Sequence, residues 1–346
     1  MGDEKFIMYI GTYTGMGDDS DGIYILELDA ETGAVKIVGS TEKIDNPSYL
    51  RIAGGRLYTV MEEFGGGGKT GGIAAYKIGA TGGLELYGKK TVGQRGACHL
   101  DVSADKAYLA AANYGEGSVT LLRLNPDGSL GDIAAIYPLT GELGPNRARQ
   151  EQPHAHYAMF NGGELFVADL GTDTVLCFNA DGGLTPNKKR SFKTKPGAGP
   201  RHLQQNGVYM YSANELTSDV SVFMESNGVF REIQTVSMLP DGFAGENTAA
   251  AIHLSADGRF LYASNRGHDS VAAYKILNGG TLEPIDHISV QGAEPRDFSL
   301  SPDDKFLITA NQNSNTVNVF ARNGETYVFT GHSARVPKPV CVKFLI

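Results

Sequence analysis

Tryptophan is absent from this chain of 346 residues, and cysteine occurs at only three positions, Cys98, Cys177 and Cys341. Three cysteines in a chain of this length do not form a disulfide framework, so we expect reduced thiols in a cytoplasmic protein. No run of about 18 apolar residues occurs, which excludes a transmembrane helix. Residues 1–15 also lack a basic segment followed by an apolar one, so we expect no secretory signal peptide.

Clustered positive charge is missing as well. The formal net charge is −9, and no basic run is present. An acidic chain of this kind does not attract nucleic acid or an anionic membrane surface. We therefore expect neither as a partner, and the sequence does not set the oligomeric state.

The chain does contain a short phrase that recurs along its length. The clear copies begin with serine, continue through an apolar run and end at asparagine ten positions later, at 103–113, 255–265 and 301–311. Weaker copies end at Asp169 and Asn214, so successive end points lie 45 to 56 residues apart. This period is typical of a β-propeller. The absence of tryptophan and of a Gly-His…Trp-Asp signature excludes the WD40 class.

Each repeat is interpreted as four strands. In the last complete copy the first strand covers 297–300, the second ends at Asn311, and the third covers 316–320. Runs of β-branched, aromatic and aliphatic residues bounded by turn formers are typical of buried strands. The fourth strand gives the poorest signal and is placed near 326–329.

The two ends of the chain complete one repeat. Residues 6–10 and 22–28 predict second and third strands without a preceding first strand, and 338–344 resembles the first-strand segment 294–300. We therefore expect an all-β fold, a seven-bladed β-propeller of four-stranded antiparallel blades. The C-terminal strand joins the N-terminal blade and closes the ring, and residues 1–346 form a single domain.

Propeller geometry sorts the side chains at the strand ends. The innermost strand leaves one face and the second strand returns to it, so residues before the first and after the second share one rim of the central channel. We call the residues that precede the first strands of the blades the pre-strand column: Ser48, Cys98, His156, Arg201, Ala250, Arg296 and Val340, with His99 and His202 one step later. The residues that follow the second strands form the post-strand column: Glu62, Tyr114, Leu170, Glu215, Arg266 and Gln312. Three arginines, a histidine and two carboxylates at one rim suit an anionic ligand and acid–base chemistry.

Each of these side chains also has a structural interpretation. The histidines of 154–156 fit hydrogen bonds between neighbouring blades, and a His-x-His pair fits zinc, although no third ligand is evident. Arg201 and Arg266 equally fit ion pairs with Glu215 or Asp169. The recurring asparagines are interpreted as turn residues.

Two further motifs lack a residue that their known function requires. The stretch 65–70 looks like a phosphate-binding loop, but position 63 is glutamate where glycine is required, and no strand-to-helix context surrounds it, so a flexible loop is expected. Residues 127–131 lack the first glycine of a Gly-x-Ser-x-Gly elbow, so no covalent serine mechanism is supported.

Several motifs together resemble the seven-bladed lactonase family of propeller-type 6-phosphogluconolactonases and fungal carboxy-muconate lactonizing enzymes. The resemblance covers essentially the whole chain and rests on 9–14, 46–50, 153–156, 167–171, 199–202, 213–215 and 264–267. It implies a catalytic site of His156, Arg201, Glu215 and Arg266. The shortened turn 161–163 departs from the other repeats, so His154 stays a candidate beside His156.

The resemblance implies hydrolysis of a sugar lactone, with 6-phospho-D-glucono-1,5-lactone as the expected substrate and the pentose phosphate pathway as its context. His156 or Glu215 would activate water, and Arg201 or Arg266 would stabilise the oxyanion. The remaining substrate-binding candidates are His154, His202, Arg296 and Glu62, of which Arg296 with His202 would hold the phosphate. No metal or cofactor is expected. The alternatives are a muconate-type lactonizing or isomerising enzyme and a non-catalytic binding scaffold.

Overall fold

The computed structural model describes residues 4–16, 20–62 and 71–346, and the glycine-rich stretch 65–70 lies outside them. The regular secondary structure of the described chain is almost entirely strand, with one short 3₁₀ helix at Leu170–Thr172. The first eleven strands are β1 (Lys5–Thr12), β2 (Tyr24–Asp29), β3 (Val35–Ser40), β4 (Leu50–Ala53), β5 (Arg56–Met61), β6 (Gly72–Ile78), β7 (Leu84–Thr91), β8 (Ala97–Val102), β9 (Tyr108–Asn113), β10 (Ser118–Leu124) and β11 (Leu130–Pro138).

The remaining strands continue the same pattern of short, closely spaced segments. The next nine are β12 (Ala155–Asn161), β13 (Glu164–Asp169), β14 (Thr174–Asn179), β15 (Thr185–Pro186), β16 (Phe192–Lys193), β17 (Pro200–Asn206), β18 (Tyr209–Asn214), β19 (Asp219–Ser226) and β20 (Val229–Ser237). The last nine are β21 (Thr248–Leu254), β22 (Phe260–Arg266), β23 (Ser270–Ile276), β24 (Leu282–Ser289), β25 (Pro295–Leu300), β26 (Phe306–Asn311), β27 (Thr316–Asn323), β28 (Thr326–Arg335) and β29 (Pro339–Phe344).

These strands form seven antiparallel sheets, numbered here as blades. Blade 1 has the order β29-β1-β2-β3, and blades 2, 3, 5, 6 and 7 each contain four consecutive strands starting at β4, β8, β17, β21 and β25. In blade 4 the outermost position is divided between two short strands, β15 and β16, which both pair with β14. The predicted fold class, a seven-bladed β-propeller, is confirmed.

Blade 1 contains both ends of the described chain. Met8 of β1 lies opposite Phe344 of β29, and Ile10 lies opposite Val342. On its other edge β1 pairs with β2. The prediction that the C-terminal strand joins the N-terminal blade is therefore confirmed.

The hydrophobic core lies between consecutive blades. Two compact units are distinguished: one contains the described residues of Met1–Ile44 with Gln204–Phe223 and Ile233–Ile346, the other Asp45–Leu203 with Met224–Glu232. In the first unit, core clusters join blades 5 and 6, 6 and 7, and 7 and 1. In the second, they join blades 2 and 3, and 3 and 4. Such nearest-neighbour burial is typical of repeat architectures, and one domain over 1–346 stays a prediction.

The recurring phrase is a hydrogen-bonded turn. Ser301 Oγ donates to Asp303 Oδ1 at 2.6 Å and accepts from the N–H of Phe306 at 3.0 Å. At the other end of the strand, Asn311 Nδ2 donates to Thr316 Oγ1 at 3.2 Å. The same pattern recurs at Ser103 with Asn113 and at Ser255 with Asn265. The asparagines therefore link the second and third strands, as their turn interpretation predicts.

In six blades the pre-strand column residue lies inside the first strand rather than before it, and in blade 2 Ser48 precedes β4 as predicted. Strand pairing skips one residue at the column position in blades 1, 3, 4 and 7, at Val340, Cys98, His156 and Arg296. In blade 6 the skip includes Ala250. The residues on both sides of the skipped residue pair with the second strand, so the first strand begins before the column position. The strand start predicted from the sequence was therefore too late. Such β-bulges redirect side chains and occur often beside active sites.

Candidate active site

The second compact unit holds five of the eight predicted site residues, all of them buried: Glu62, His154, His156, Arg201 and His202. The strand register decides which histidine occupies the column. Ala155 lies opposite Asp169 and Tyr157 lies opposite Ala168, so His156 is the bulged residue between them. His154 precedes the strand. The uncertainty that the shortened turn 161–163 introduced is therefore resolved in favour of His156.

His156 lies among aromatic rings and is 6% exposed. Its ring meets Tyr114 edge-on with centroids 5.5 Å apart, and it meets His202 at the same centroid distance. Its carbonyl oxygen lies 3.6 Å from Sγ of Cys98, the bulged residue of blade 3. The bulge columns of blades 3 and 4 are therefore in direct contact at His156.

His154 is held by neighbouring groups at its backbone and at both ring nitrogens. Its N–H donates to Asp169 Oδ1 at 2.7 Å, and its ring stacks on Tyr114 at a centroid distance of 4.2 Å. Nδ1 lies 2.9 Å from the carbonyl oxygen of Tyr114 and Nε2 lies 3.1 Å from Oε1 of Glu151. Both partners are acceptors, so a protonated ring satisfies both. The contacts of His154 match the structural interpretation.

Asp169 joins the end of β13 to the residues before β12. In addition to the His154 N–H, its carboxylate accepts from the N–H of Gly171 at 3.0 Å and from Oγ1 of Thr172 at 2.7 Å. Burial raises the pKa of Asp169, although these hydrogen bonds work in the opposite direction. Among the described residues no arginine pairs with Asp169, so that version of the ion-pair alternative is not observed.

Arg201 is 2% exposed and donates from Nη1 to Nε2 of His202 at 3.0 Å. A guanidinium has no acceptor atom, so Nε2 of His202 must accept and the ring proton lies on Nδ1. The His202 ring lies 4.7 Å from the ring of Tyr157, centroid to centroid. His202 is therefore a neutral partner of Arg201, whereas we expected it from the sequence to hold the substrate phosphate with Arg296.

An aromatic group lies beside these residues, and the sequence placed His99 and His202 one step after the column without revealing the group that they form with Tyr49 and Tyr157. The ring of His99 lies between Tyr49 and Tyr157, with both centroid distances 3.8 Å. Its Nδ1 accepts the N–H of Ala158 at 3.2 Å, so its proton lies on Nε2. Tyr49, His99, Tyr157 and His202 each follow a pre-strand column residue by one position. That shared offset is the signal that could have identified them.

Glu62 is a buried carboxylate, 6% exposed, in the loop that follows β5. Its Oε2 accepts a hydrogen bond of 2.5 Å from Oγ of Ser48, the pre-strand residue of the same blade. Asn46 donates from Nδ2 to the carbonyl oxygen of Glu62 at 2.8 Å. The two predicted columns of blade 2 are thus hydrogen-bonded to each other.

The first compact unit holds Glu215, Arg266 and Arg296. Nη2 of Arg266 lies 3.1 Å from Oε2 of Glu215, and the two side chains are 8% and 5% exposed. The same nitrogen donates to the carbonyl oxygen of Ala249 at 3.0 Å. Glu215 follows β18 in blade 5 and Arg266 ends β22 in blade 6, so the ion pair between blades that the structural alternative predicts is present.

Two further features surround these arginines. The guanidinium of Arg296 lies over the ring of Tyr13, 5.2 Å from its centroid, in cation–π geometry. Oε1 of Glu294 lies 3.8 Å from Nη1 of Arg266. Glu294 was not identified from the sequence, because it stands two positions before the column residue Arg296.

No group of three or more His, Cys, Asp or Glu side chains within the described ranges is arranged to hold a metal ion. The expected absence of a metal stays a prediction. Each unit instead provides buried arginine and carboxylate side chains, and the second unit also provides imidazoles. Groups of these kinds can bind an anion, transfer protons and stabilise negative charge.

Over nearly its whole length the chain is similar to known proteins. The family model described as "Lactonase, 7-bladed beta-propeller" matches residues 7–344. A 6-phosphogluconolactonase of Bacillus subtilis (strain 168) is 38% identical over 99% of both chains. A 6-phosphogluconolactonase of Formosa agariphila is 32% identical over 97% of this chain and 96% of its own. The solved structure of a periplasmic gluconolactonase of Pseudomonas aeruginosa is 32% identical, covers 99% of both chains and has a TM-score of 0.90.

Proposed function

Because this chain belongs to the seven-bladed β-propeller lactonase family, we propose that it hydrolyses a sugar lactone, with 6-phospho-D-glucono-1,5-lactone as the substrate. The observation that carries this proposal is the 38% identity, over 99% of both chains, with a protein named 6-phosphogluconolactonase. The enzyme is then a carboxylic ester hydrolase that opens the ring ester to 6-phosphogluconate.

The reaction adds one water across the ring ester. Water attacks the carbonyl carbon and loses a proton to a base, which gives a tetrahedral oxyanion. The bond from that carbon to the ring oxygen then breaks, and the departing oxygen takes up a proton. The protein must therefore supply a base, a stabiliser of the oxyanion and a proton donor.

His156 is the proposed base. It is the bulged residue of β12, and its side chain contacts other rings through their edges. The competing candidate Glu215 has Oε2 already engaged by Arg266 at 3.1 Å. An imidazole also changes its charge near neutral pH, so it can accept the proton of water and return it to the departing oxygen.

Arg201 is the proposed stabiliser of the oxyanion. Its guanidinium is almost completely buried, and His202 orients it through the Nη1 to Nε2 hydrogen bond. A fixed donor aimed at developing charge contributes about 3 to 4 kcal/mol to the lowering of a barrier. Since His202 accepts from Arg201, we assign it the role of orienting the arginine.

The other predicted site residues keep assigned roles of their own. Arg296 is the proposed ligand of the substrate phosphate, because its guanidinium can bind phosphate oxygens in pairs. Arg266 and Glu215 act as an ion pair in which the carboxylate orients the guanidinium. Glu62 is a proposed acceptor for substrate hydroxyls, and His154 supports the strand that carries His156.

The cytoplasm and the pentose phosphate pathway are the proposed setting. No helix in the described part of the chain combines the length and apolar composition that a bilayer crossing requires. The similar protein of Pseudomonas aeruginosa is named periplasmic, and that compartment is the alternative to test. Cell fractionation tests the point, and recovery outside the cytoplasmic fraction would refute the assignment.

The activity is tested by timed hydrolysis of freshly prepared 6-phosphogluconolactone and of unphosphorylated gluconolactone, with the spontaneous rate subtracted. We expect hydrolysis of both and a higher kcat/KM for the phosphorylated lactone, because Arg296 binds its phosphate. Rates equal to the spontaneous rate for both lactones would rule out the proposed activity.

Matched variants test the assignments. His156→Ala and Arg201→Ala should each lower kcat/KM by about 10² or more. The controls are His332→Ala and Arg231→Ala, which remove the same side chains from strands β28 and β20, away from the columns. If His156→Ala and Arg201→Ala retain activity equal to these controls, the site assignment is wrong.

A further inference from the structure

A left-handed backbone conformation recurs two positions before the pre-strand column. It occurs in blades 2, 3, 5, 7 and 1, at Asn46 (φ 38°), Gly96 (φ 66°), Gly199 (φ 63°), Glu294 (φ 60°) and Lys338 (φ 43°). Glycine adopts this conformation without steric cost, and asparagine tolerates it better than most residues. A glutamate at position 294 is therefore unfavourable for the left-handed backbone conformation there.

Several blades share a backbone hydrogen bond at this position. The carbonyl oxygen of Glu294 accepts the N–H of Gln312 at 3.0 Å, and that of Gly96 accepts the N–H of Tyr114 at 2.8 Å. The left-handed residue thus ties the start of the first strand to the residue after the second. Since glycine satisfies this role in blade 3, the side chain of Glu294 must have another reason to be there.

The Glu294 carboxylate is placed beside Arg266 but does not form a close bond with it. The distance from Oε1 to Nη1 is 3.8 Å, compared with about 2.7–2.9 Å for a charge-assisted hydrogen bond. Within the part of the chain that the structure describes, this is the only ion pair or hydrogen bond of the carboxylate, and the side chain is 29% exposed. The residue is also fixed in place, because its N–H donates to Asp269 Oδ1 at 2.8 Å.

Arg266 has a tighter partner on its other side. Oε2 of Glu215 lies 3.1 Å from Nη2, and that carboxylate is only 5% exposed. Glu215 is therefore sufficient to orient and neutralise the guanidinium. Glu294 adds a second, more accessible carboxylate whose oxygens retain capacity to accept hydrogen bonds.

We propose that Glu294 is a substrate-binding residue that accepts hydrogen bonds from hydroxyl groups of the sugar lactone, next to Arg266. A hydroxyl group can donate to the carboxylate and accept from the guanidinium at the same time, so a polyhydroxylated ring fits this pair. A phosphate or a second carboxylate would be repelled by Glu294. This assignment rests on the proposed lactonase function and places the hydroxylated part of the substrate, not its phosphate, at Glu294.

Two substitutions at one position separate binding from folding. Glu294→Gln keeps the size and the unfavourable backbone but removes the charge, and Glu294→Asn supplies the residue that blade 2 uses at the equivalent position. We expect each to lower kcat/KM for 6-phosphogluconolactone by about tenfold or more, the usual effect of losing a hydrogen bond to a charged group. The melting temperature should stay unchanged for the glutamine variant and should not fall for the asparagine variant.

The matched control is Lys106→Asn. Lys106 also has a left-handed backbone (φ 60°), but it lies in the turn between β8 and β9, at the other end of the strands from the columns. Like Glu294→Asn, Lys106→Asn should not lower the melting temperature, but it should keep kcat/KM within twofold of the wild type. A second control uses the substrate: δ-valerolactone has the ring ester but no hydroxyls, so wild type and Glu294→Gln should hydrolyse it at equal rates.

The outcomes decide the assignment separately from the proposed function. Retained kcat/KM in both Glu294 variants would overturn it, as would an equal loss on δ-valerolactone or a loss that follows a fall in melting temperature. If the wild type hydrolyses no lactone, the proposed function fails, and thermal-shift measurements with sodium gluconate then decide. A stabilisation of the wild type that Glu294→Gln loses would uphold the role of Glu294, and equal shifts, including none, would refute it.

Discussion

Nη1 of Arg201 lies 3.0 Å from Nε2 of His202. The guanidinium can only donate, so this hydrogen bond exists only while His202 is neutral and protonated on Nδ1. Protonation of Nε2 would remove the acceptor and place a second cation against the arginine. The orientation of a buried arginine, 2% exposed, is therefore coupled to the protonation of an imidazole nitrogen.

Removing that acceptor should disorder the arginine without removing it. His202→Phe keeps a ring against Tyr157 but has no acceptor, and we expect kcat/KM to fall by about 10- to 100-fold, since an unsatisfied buried donor costs about 1–3 kcal/mol. His202→Gln restores an acceptor near the position of Nε2 and should retain several-fold more activity. Steady-state kinetics of the folded variants checks this, and equal activities would show that His202 does not act through Arg201.

The two histidines of blade 4 should respond differently to substitution. His156→Asn removes the proposed base, so kcat should fall by about 10² to 10⁴, the range that general base catalysis supplies. His154→Phe keeps the stack on Tyr114 and loses the ring hydrogen bonds, so we expect kcat within a few-fold of the wild type.

The measurement for this comparison is kcat at saturating lactone, with circular dichroism to confirm folding. His154→Phe should also lower the melting temperature, because the hydrogen bonds of the His154 ring to the carbonyl oxygen of Tyr114 and to Glu151 are lost. A large loss of kcat in His154→Phe together with an active His156→Asn would exchange the roles of the two residues.

The fold could be predicted because each blade repeats one local pattern. The turn at Ser301 and the asparagine at Asn311 are local features, and residues close in sequence determine them. The outermost strands were harder: β28 continues to Arg335, well past the predicted 326–329. Its second half contains Gly331 with φ 84° and polar residues, and five of the ten residues of β28 are exposed, so the strand lacks a continuous apolar signal.

The site was predictable as a set of residue types but not as a set of contacts. Propeller geometry placed His156 and Arg296 in one column, and the structure makes both of them bulges. The bulge itself was not visible, because an extra unpaired residue leaves no composition signal in a strand buried on both faces. The column positions indicate which residues lie near the rim, but they do not indicate which side chains contact each other. Neither the neutral state of His202 nor the approach of Glu294 to Arg266 could therefore be predicted.

Gly171 has a steric role at the end of β13. A Cβ at this position would overlap the carbonyl oxygen of Gln152 and lie 2.8 Å from Cα of Pro153. Gly171→Ala must therefore displace the backbone just before His154, and we expect a loss of about 3 kcal/mol in the free energy of unfolding. Gly163→Ala is the control, since nothing lies within 4 Å of its added Cβ. Thermal unfolding compares the two, and equal stability would contradict the close approach.

Asp297 should make the stability of the first compact unit depend on pH. The carboxylate is 2% exposed, and it accepts from His253 Nε2 at 3.0 Å, from the N–H of Val342 at 3.1 Å and from Lys343 Nζ at 3.4 Å. Burial by itself raises the pKa of Asp297, but Lys343, His253 and the Val342 N–H outweigh it and hold that pKa well below its ordinary value. The charged carboxylate is therefore stabilised by folding.

A depressed pKa means that this stabilisation is complete above the pKa of the unfolded chain, about 3.9, and is lost as the pH falls through the lower folded value. Asp297→Asn removes the charge and should destabilise by about 3 kcal/mol at pH 7, because Lys343 loses its ion-pair partner and the N–H of Val342 loses a charged acceptor. The difference in melting temperature between wild type and variant should shrink at pH 3, whereas the exposed control Asp241→Asn should show little difference at either pH. If the difference in melting temperature between wild type and Asp297→Asn stays constant from pH 7 to pH 3, the Asp297 charge does not stabilise the fold.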